Sequence, residues 1–186
     1  GLNATADVAI IDGNREFLGS DPGVSKFRLT PDDLAYLSTF DLIHSSESSY
    51  LEDQLDRLAG AAQLSFDFSV RREESYLAPI LPHVAIAEFS LSDLDDADTR
   101  DWLEAIHARG PRIVLATRGS GDAMVFDGHR HRRQPSVPSE PIDTLGAGDA
   151  FIARFLVGHL RSEPVADALE AASVAAAETC AAFGAF

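Results

Sequence analysis

Between residues 41 and 117 the chain alternates short apolar runs with longer stretches of helical period, and few folds accept that rhythm. Runs at 41–44, 64–68, 84–87 and 112–117 read as strands, and the segments at 50–59, 75–81 and 99–109 read as helices, the last closed by Gly110-Pro111. Strands separated by single helices and short connections predict an α/β fold. Its sheet should be mostly parallel and covered by helices on both faces, a three-layer sandwich. Ligands of such sheets bind outside the carboxyl ends of the strands, which makes the residues just after each run the ones to inspect.

The flanks are of a different kind. Residues 7–18 alternate about a turn at Gly13-Asn14 and predict a β-hairpin that begins abruptly, as though the chain enters in mid-fold. Thr30-Pro31 predicts a helix start, with Thr30 as N-cap, Pro31 in the first position and Leu34 and Leu37 on the apolar face. Asp127-Gly128 sits between two strand-like segments at 123–126 and 129–134, a second hairpin. Two helices end the chain, one over 147–160 and an Ala-rich one over 164–183 with Ser162 as its N-cap. The organisation is thus a hairpin and connection over 1–30 and a single α/β unit over 31–186.

Composition excludes several classes. Fifteen Lys and Arg against thirty Asp and Glu give a net charge of −15, a field that disfavours nucleic acid and anionic membranes. No apolar run is long enough to span a bilayer. The sole cysteine, Cys180, rules out an internal disulfide and fits a reducing, cytoplasmic compartment. Lys26 is the only lysine, so there is no Walker A loop. An anionic nucleotide would have to be met by backbone amides, arginines and a divalent cation.

The chemistry concentrates at Asp143-Thr144-Leu145-Gly146-Ala147-Gly148-Asp149, which runs straight into the helix over 147–160. Small residues at a helix start expose amides without intrahelical partners, at the positive end of the helix dipole. Asp149 would repel a bound anion unless its task is to take a proton from a hydroxyl attacking that anion. Amides for developing charge and a base for the nucleophile are two parts of phosphoryl transfer.

This stretch resembles the C-terminal signature of the PfkB, or ribokinase-like, carbohydrate kinases. The resemblance implies a ribokinase-like fold that uses ATP and Mg²⁺ to phosphorylate a sugar or sugar-amine hydroxyl. It implies Asp149 as catalytic base and the Gly146, Ala147 and Gly148 amides as the anion hole. Arg154 stands where the family usually has a small residue. Thr117-Arg118-Gly119-Ser120-Gly121-Asp122 resembles the family's nucleotide loop, implying nucleotide contacts from Thr117, Gly119 and Gly121; Asp122 takes a position where many members have glycine. Asp67-Phe68-Ser69-Val70-Arg71 resembles a D-x-N-x-R segment, implying Arg71 on phosphate and Asp67 on the metal's water shell.

The family's metal-linked N-x-x-E is not kept, and Glu88 or Asp93 could stand in for it only approximately. A K⁺ site is implied beside the anion hole, from main-chain oxygens near Asp143 and Leu145 and from the end over 180–186. His44, closing its strand, could line the acceptor site.

Within the family the similarity is to fructoselysine 6-kinase-type members. It implies a fructoselysine-type acceptor, with residues 1–30 as a lid hairpin through which a homodimer could form. The family's opening sheet unit, with its acidic sugar-binding residue and G-G-x-x-x-N-x-A segment, has no counterpart. The chain is therefore expected to be a fragment, a product of a divided gene or a shortened piece, lacking most of the acceptor site. The other reading is a non-catalytic nucleotide-binding or assembly module derived from such a kinase.

Overall fold

The computed structural model describes residues 1–11 and 14–184. A two-stranded antiparallel sheet comes first, β1 (Thr5–Ile11) against β2 (Asn14–Asp21), with a register shift between Asp7 and Val8. Asn14 already pairs with Ile11 in that ladder, and the connecting Asp12-Gly13 lie outside the described residues. Helix α1 (Pro31–Leu37) starts as its sequence dictates. Thr30 Oγ1 accepts from the Asp33 amide at 3.2 Å, and the Asp33 carboxylate accepts from the Thr30 amide at 2.8 Å, a reciprocal capping box.

The alternating region builds β3 (Leu42–Ser46), α2 (Leu55–Ala61), β4 (Gln63–Asp67), α3 (Glu74–Ile80), β5 (Ile86–Ser90), α4 (Asp96–His107) and β6 (Ile113–Thr117). The antiparallel pair β7 (Ala123–Phe126) and β8 (His131–Gln134) follows, then helices α5 (Ala147–Leu160) and α6 (Val165–Cys180). The six strands lie in the order β3-β4-β5-β6-β7-β8, parallel from β3 to β6 and antiparallel thereafter. The mostly parallel sheet expected from the alternation is therefore present.

Two apolar clusters show why the strands carry so little polarity. Val114, Ala116 and Met124 face one side, packed with Leu58 of α2, Leu77 and Ile80 of α3, and Leu103 and Ile106 of α4. Leu115, Ala123 and Val125 face the other, against Phe151, Ile152 and Phe155 of α5 and Leu169 and Ala172 of α6. With both faces covered, successive residues of one strand are buried in turn on opposite sides.

Of the boundaries that depart from the sequence reading, three bear on the site and its connections. Helix α2 begins five residues later than expected, because Tyr50 has φ 56° and residues 52–54 form a 3₁₀ turn. That turn buries Gln54, whose Oε1 accepts from the Leu29 amide at 2.8 Å and holds the connection into α1. Strand β5 spans Ile86–Ser90 rather than 84–87, which moves Glu88 from a position after the strand to its middle. Ser162 is not the N-cap of α6: it has φ 57°, its amide bonds the His159 carbonyl at 3.0 Å to finish α5, and Pro164 occupies the cap position.

Candidate active site

Helix α5 opens on Gly146, at φ 79°, a left-handed conformation that a side chain would strain. The first i→i−4 bond of the helix runs from the Ala150 amide to the Gly146 carbonyl at 2.8 Å. The Ala147 amide, expected in the anion hole, bonds the Thr144 carbonyl at 3.3 Å instead, while the Gly148 and Asp149 amides have no helical acceptor and face out of the helix end. A Cβ placed on Gly148 would meet nothing within 4 Å, so the approach to this backbone is open. Asp149, in the third helical position, has an exposed side chain.

The loop feeding that helix is braced from behind. Asp143 is buried; its Oδ1 accepts from the Leu145 amide at 3.0 Å and its Oδ2 from the Gly184 amide at 3.0 Å. The Ile142 amide bonds the Cys180 carbonyl at 2.8 Å, so the end of α6 clasps the loop. Asp143 is thus a strut for the loop ahead of α5, each carboxylate oxygen accepting a backbone amide. Part of the cation site expected at the chain's end, residues 185 and 186, lies outside the described residues.

Facing α5 are the carboxyl ends of β3 and β4. Asp67 closes β4, and its Oδ1 accepts from the Ser69 amide at 2.7 Å, where Ser69 turns at φ 52°. Burial pushes the Asp67 carboxyl up, the Ser69 bond pulls it down, and the charges of Asp149 and Glu47 push it further up. His44 feels Asp149 as well: burial lowers its imidazole and that charge opposes the effect. Asp149, Asp67, Glu47 and His44 therefore share one electrostatic neighbourhood. The three carboxylates among them make that neighbourhood anionic, which suits Mg²⁺ held through its waters with few direct protein ligands.

Glu88 is not part of that open space. Its side chain lies inside the sheet, where Oε1 accepts from Ser65 Oγ at 2.7 Å. The Ser65 hydroxyl also hydrogen-bonds His44 Nδ1 at 2.8 Å. Glu88 Oε2 is buried and has no hydrogen-bond partner among the described residues. Burial is the main cause that pushes the Glu88 carboxyl up to about 8, with Asp67 adding to it. A neutral acid in the sheet is a poor metal ligand, and the chain Glu88–Ser65–His44 ends at the site instead of opening onto it. The other substitute, Asp93, is exposed and paired with Arg72 at 2.6 Å. Among the described residues no three His, Cys, Asp or Glu side chains group closely enough to hold a metal. Asp67 and Glu88 are register partners across β4 and β5, but with Asp143 they do not form such a group.

Arg71 lies at the rim after β4. Its Nε donates to Glu73 Oε2 at 3.2 Å and its guanidinium stacks 4.1 Å from the Tyr76 ring centre. Thr117, Gly119 and Gly121 follow β6, two strands away from Asp67 in the sheet. Gly119 is exposed at φ 62°, and a Cβ on Gly121 would lie 3.0 Å from the Arg118 carbonyl oxygen. The structure brings Asp149, Gly146, Gly148 and Asp67 to one edge. It sets the Thr117–Gly121 loop further along that edge and turns Arg71 along α3. Sequence reasoning missed Ser65 and Glu47. A serine in the middle of an apolar strand was the available signal for the first.

Comparison with known proteins places the chain. The family described as pfkB family carbohydrate kinase matches residues 4–186. The chain is 40% identical to the fructosamine kinase FrlD of Bacillus subtilis, over all of this chain and 67% of that protein. It is 33% identical to the fructoselysine 6-kinase of Escherichia coli, over 96% of this chain and 69% of the relative. Among solved structures, Arabidopsis thaliana ribokinase complexed with ribose and ATP aligns with a TM-score of 0.82 at 19% identity, covering 98% of this chain and 64% of that one. Giardia lamblia ribokinase aligns at 0.80 and 20% identity. The fold is ribokinase-like, and the chain spans about two thirds of the length of these proteins.

Proposed function

Because the chain belongs to the pfkB family of carbohydrate kinases, we propose that it is the catalytic and nucleotide-binding part of an ATP-dependent kinase for a sugar or sugar-amine hydroxyl, with a fructoselysine-type acceptor. The observation that carries this reading is the start of α5. Outward-facing amides at Gly148 and Asp149 are backed by the Asp143 strut, and a carboxylate stands beside them. The amides stabilise charge developing on the transferred phosphoryl group. Asp149 takes the proton of the attacking hydroxyl as its bond to phosphorus forms. Thr117, Gly119 and Gly121 hold the nucleotide, and Arg71 swings from Glu73 to neutralise phosphate charge. Mg²⁺, bound through water held by Asp67, would supply positive charge to the phosphates.

The acceptor assignment rests on the likeness to the two fructosamine-type kinases. The competing reading is a nucleotide-binding module without turnover, supported by the missing metal-linked N-x-x-E. One substitution separates them. In the complete enzyme, with fructoselysine as acceptor, Asp149→Asn should lower kcat by about 10²–10⁴-fold while ATP affinity holds or rises, since a negative charge beside the γ-phosphate is removed. Arg71→Ala should weaken ATP binding and turnover together. An Asp149→Asn complete enzyme with wild-type kcat refutes the general-base step; a complete protein that binds ATP but never turns it over supports the module.

A further inference from the structure

The loop after β6 is held by a closed ring of charges that the proposed mechanism does not use. Arg118 turns away from the site: its Nη1 lies 2.6 Å from Asp96 Oδ1 at the start of α4 and 2.9 Å from Asp122 Oδ1 at the end of the loop. Its Nη2 donates to the Leu94 carbonyl at 3.0 Å. Arg133, from β8, completes the ring, with Nη1 2.9 Å from Asp96 Oδ2 and Nε paired with Asp122 Oδ2. Two carboxylates and two guanidiniums thus alternate, joining a helix start, a loop and a strand that the sequence places up to 37 residues apart.

This is not a solvated surface pair. The side chains of Asp122 and Arg118 are only 8% and 14% exposed, so solvent screens them poorly and removing one member strands the charge of another. Two further bonds hold the same loop, the Gly121 amide on the Arg118 carbonyl at 3.0 Å and Ser136 Oγ on the Ser120 carbonyl at 2.9 Å. Between these anchors the backbone of Gly119, Ser120 and Gly121 is exposed, Gly119 at φ 62°. A loop that must be ordered when ligand arrives loses affinity by that ordering, and one already ordered does not.

We propose that Asp122, through its ring with Arg118, Asp96 and Arg133, is a positioning residue that fixes the Thr117–Gly121 loop in its nucleotide-binding geometry before nucleotide arrives. The guanidinium of Arg118 is engaged by Asp96, Asp122 and the Leu94 carbonyl, so its role is to hold the loop. The inference rests on the reading of this loop as the nucleotide site.

The test compares the chain with its Asp122→Asn, Arg133→Gln and double variants. It measures amide exchange at Gly119, Ser120 and Gly121 without ligand, and the Kd for ATP with Mg²⁺. Asp122→Asn should speed exchange at those three amides and weaken ATP roughly tenfold, with exchange in β6 unchanged. Arg133, whose side chain is 55% exposed, gives the same pattern about threefold in a variant that folds even if Asp122→Asn does not. The double variant should match Asp122→Asn alone, because the ring is already open. Exchange that rises in β6 in step with the loop makes the ring a plain stability clamp and overturns the inference. So does an unchanged Kd in both single variants of a chain whose loop amides respond to ATP. If ATP moves no amide of the loop in the unsubstituted chain, the nucleotide reading fails and takes the inference with it.

Discussion

Glu88 shows how one side chain reads differently in sequence and in space. By position it was a candidate for the metal's water shell; in the sheet it is a buried acid bonded to Ser65. Its folded carboxyl is pushed from 4.5 up to about 8, so between those values the folded state holds a proton that the unfolded chain has lost. Stability then falls as pH rises through that window and levels off above about 8. Glu88→Gln keeps the shape and carries no titrating proton. The melting temperature of the unsubstituted chain should therefore drop more steeply between pH 5 and pH 8 than that of the Gln variant, with the curves parallel above that range. Parallel curves throughout would mean Glu88 is charged in the folded protein.

At the scale of elements, α5 and α6 depend on one small residue. A Cβ on Gly158 would lie 2.7 Å from Ala168 Cβ and 2.8 Å from Glu163 Oε2. Arg154, the unusual residue of the signature region, reaches the same corner and donates to Glu163 at 3.0 Å. The two helices approach closely there, and an added methyl has no direction in which to relax. Gly158→Ala should destabilise the chain by about 1–3 kcal/mol in denaturant melts, although alanine is the better helix former in isolation. A neutral or stabilising result would show that the interface has slack. The close packing expected of an Ala-rich last helix was legible in its composition; which residue it meets was not.

Over the whole molecule, charge is the unbalanced quantity. A net −15 is spread over a chain whose arginines are largely spoken for by Asp53, Glu73, Glu74, Asp93, Asp96, Asp122 and Asp127. Much of the remaining negative charge repels itself, and added salt screens that repulsion over a Debye length of about 10 Å at 0.1 M. Raising NaCl from low to moderate concentration should raise the melting temperature by a few degrees, about the shift that 1 kcal/mol makes in a chain of this size. A fall with salt would mean the specific ion pairs outweigh the net field. Among the described residues no helix is long and apolar enough to cross a membrane.

The amino-acid order by itself determined the alternation of β3 to β6, the N-cap at Thr30, the β7–β8 hairpin and the start of α5 at Ala147. Each of these is a local matter of side-chain period, turn chemistry and helix termini, with its cause within a few residues of its effect. The glycine-rich string ahead of Asp149 was legible for the same reason. Only the tertiary structure decided that Glu88 lies inside the sheet, that Asp143 is a strut reaching Gly184, and that Asp122 belongs to a ring with Asp96 and Arg133. Burial and charge pairing are set by what folds against a residue from elsewhere in the chain, 41 residues away for Asp143 and Gly184, and no local pattern encodes them.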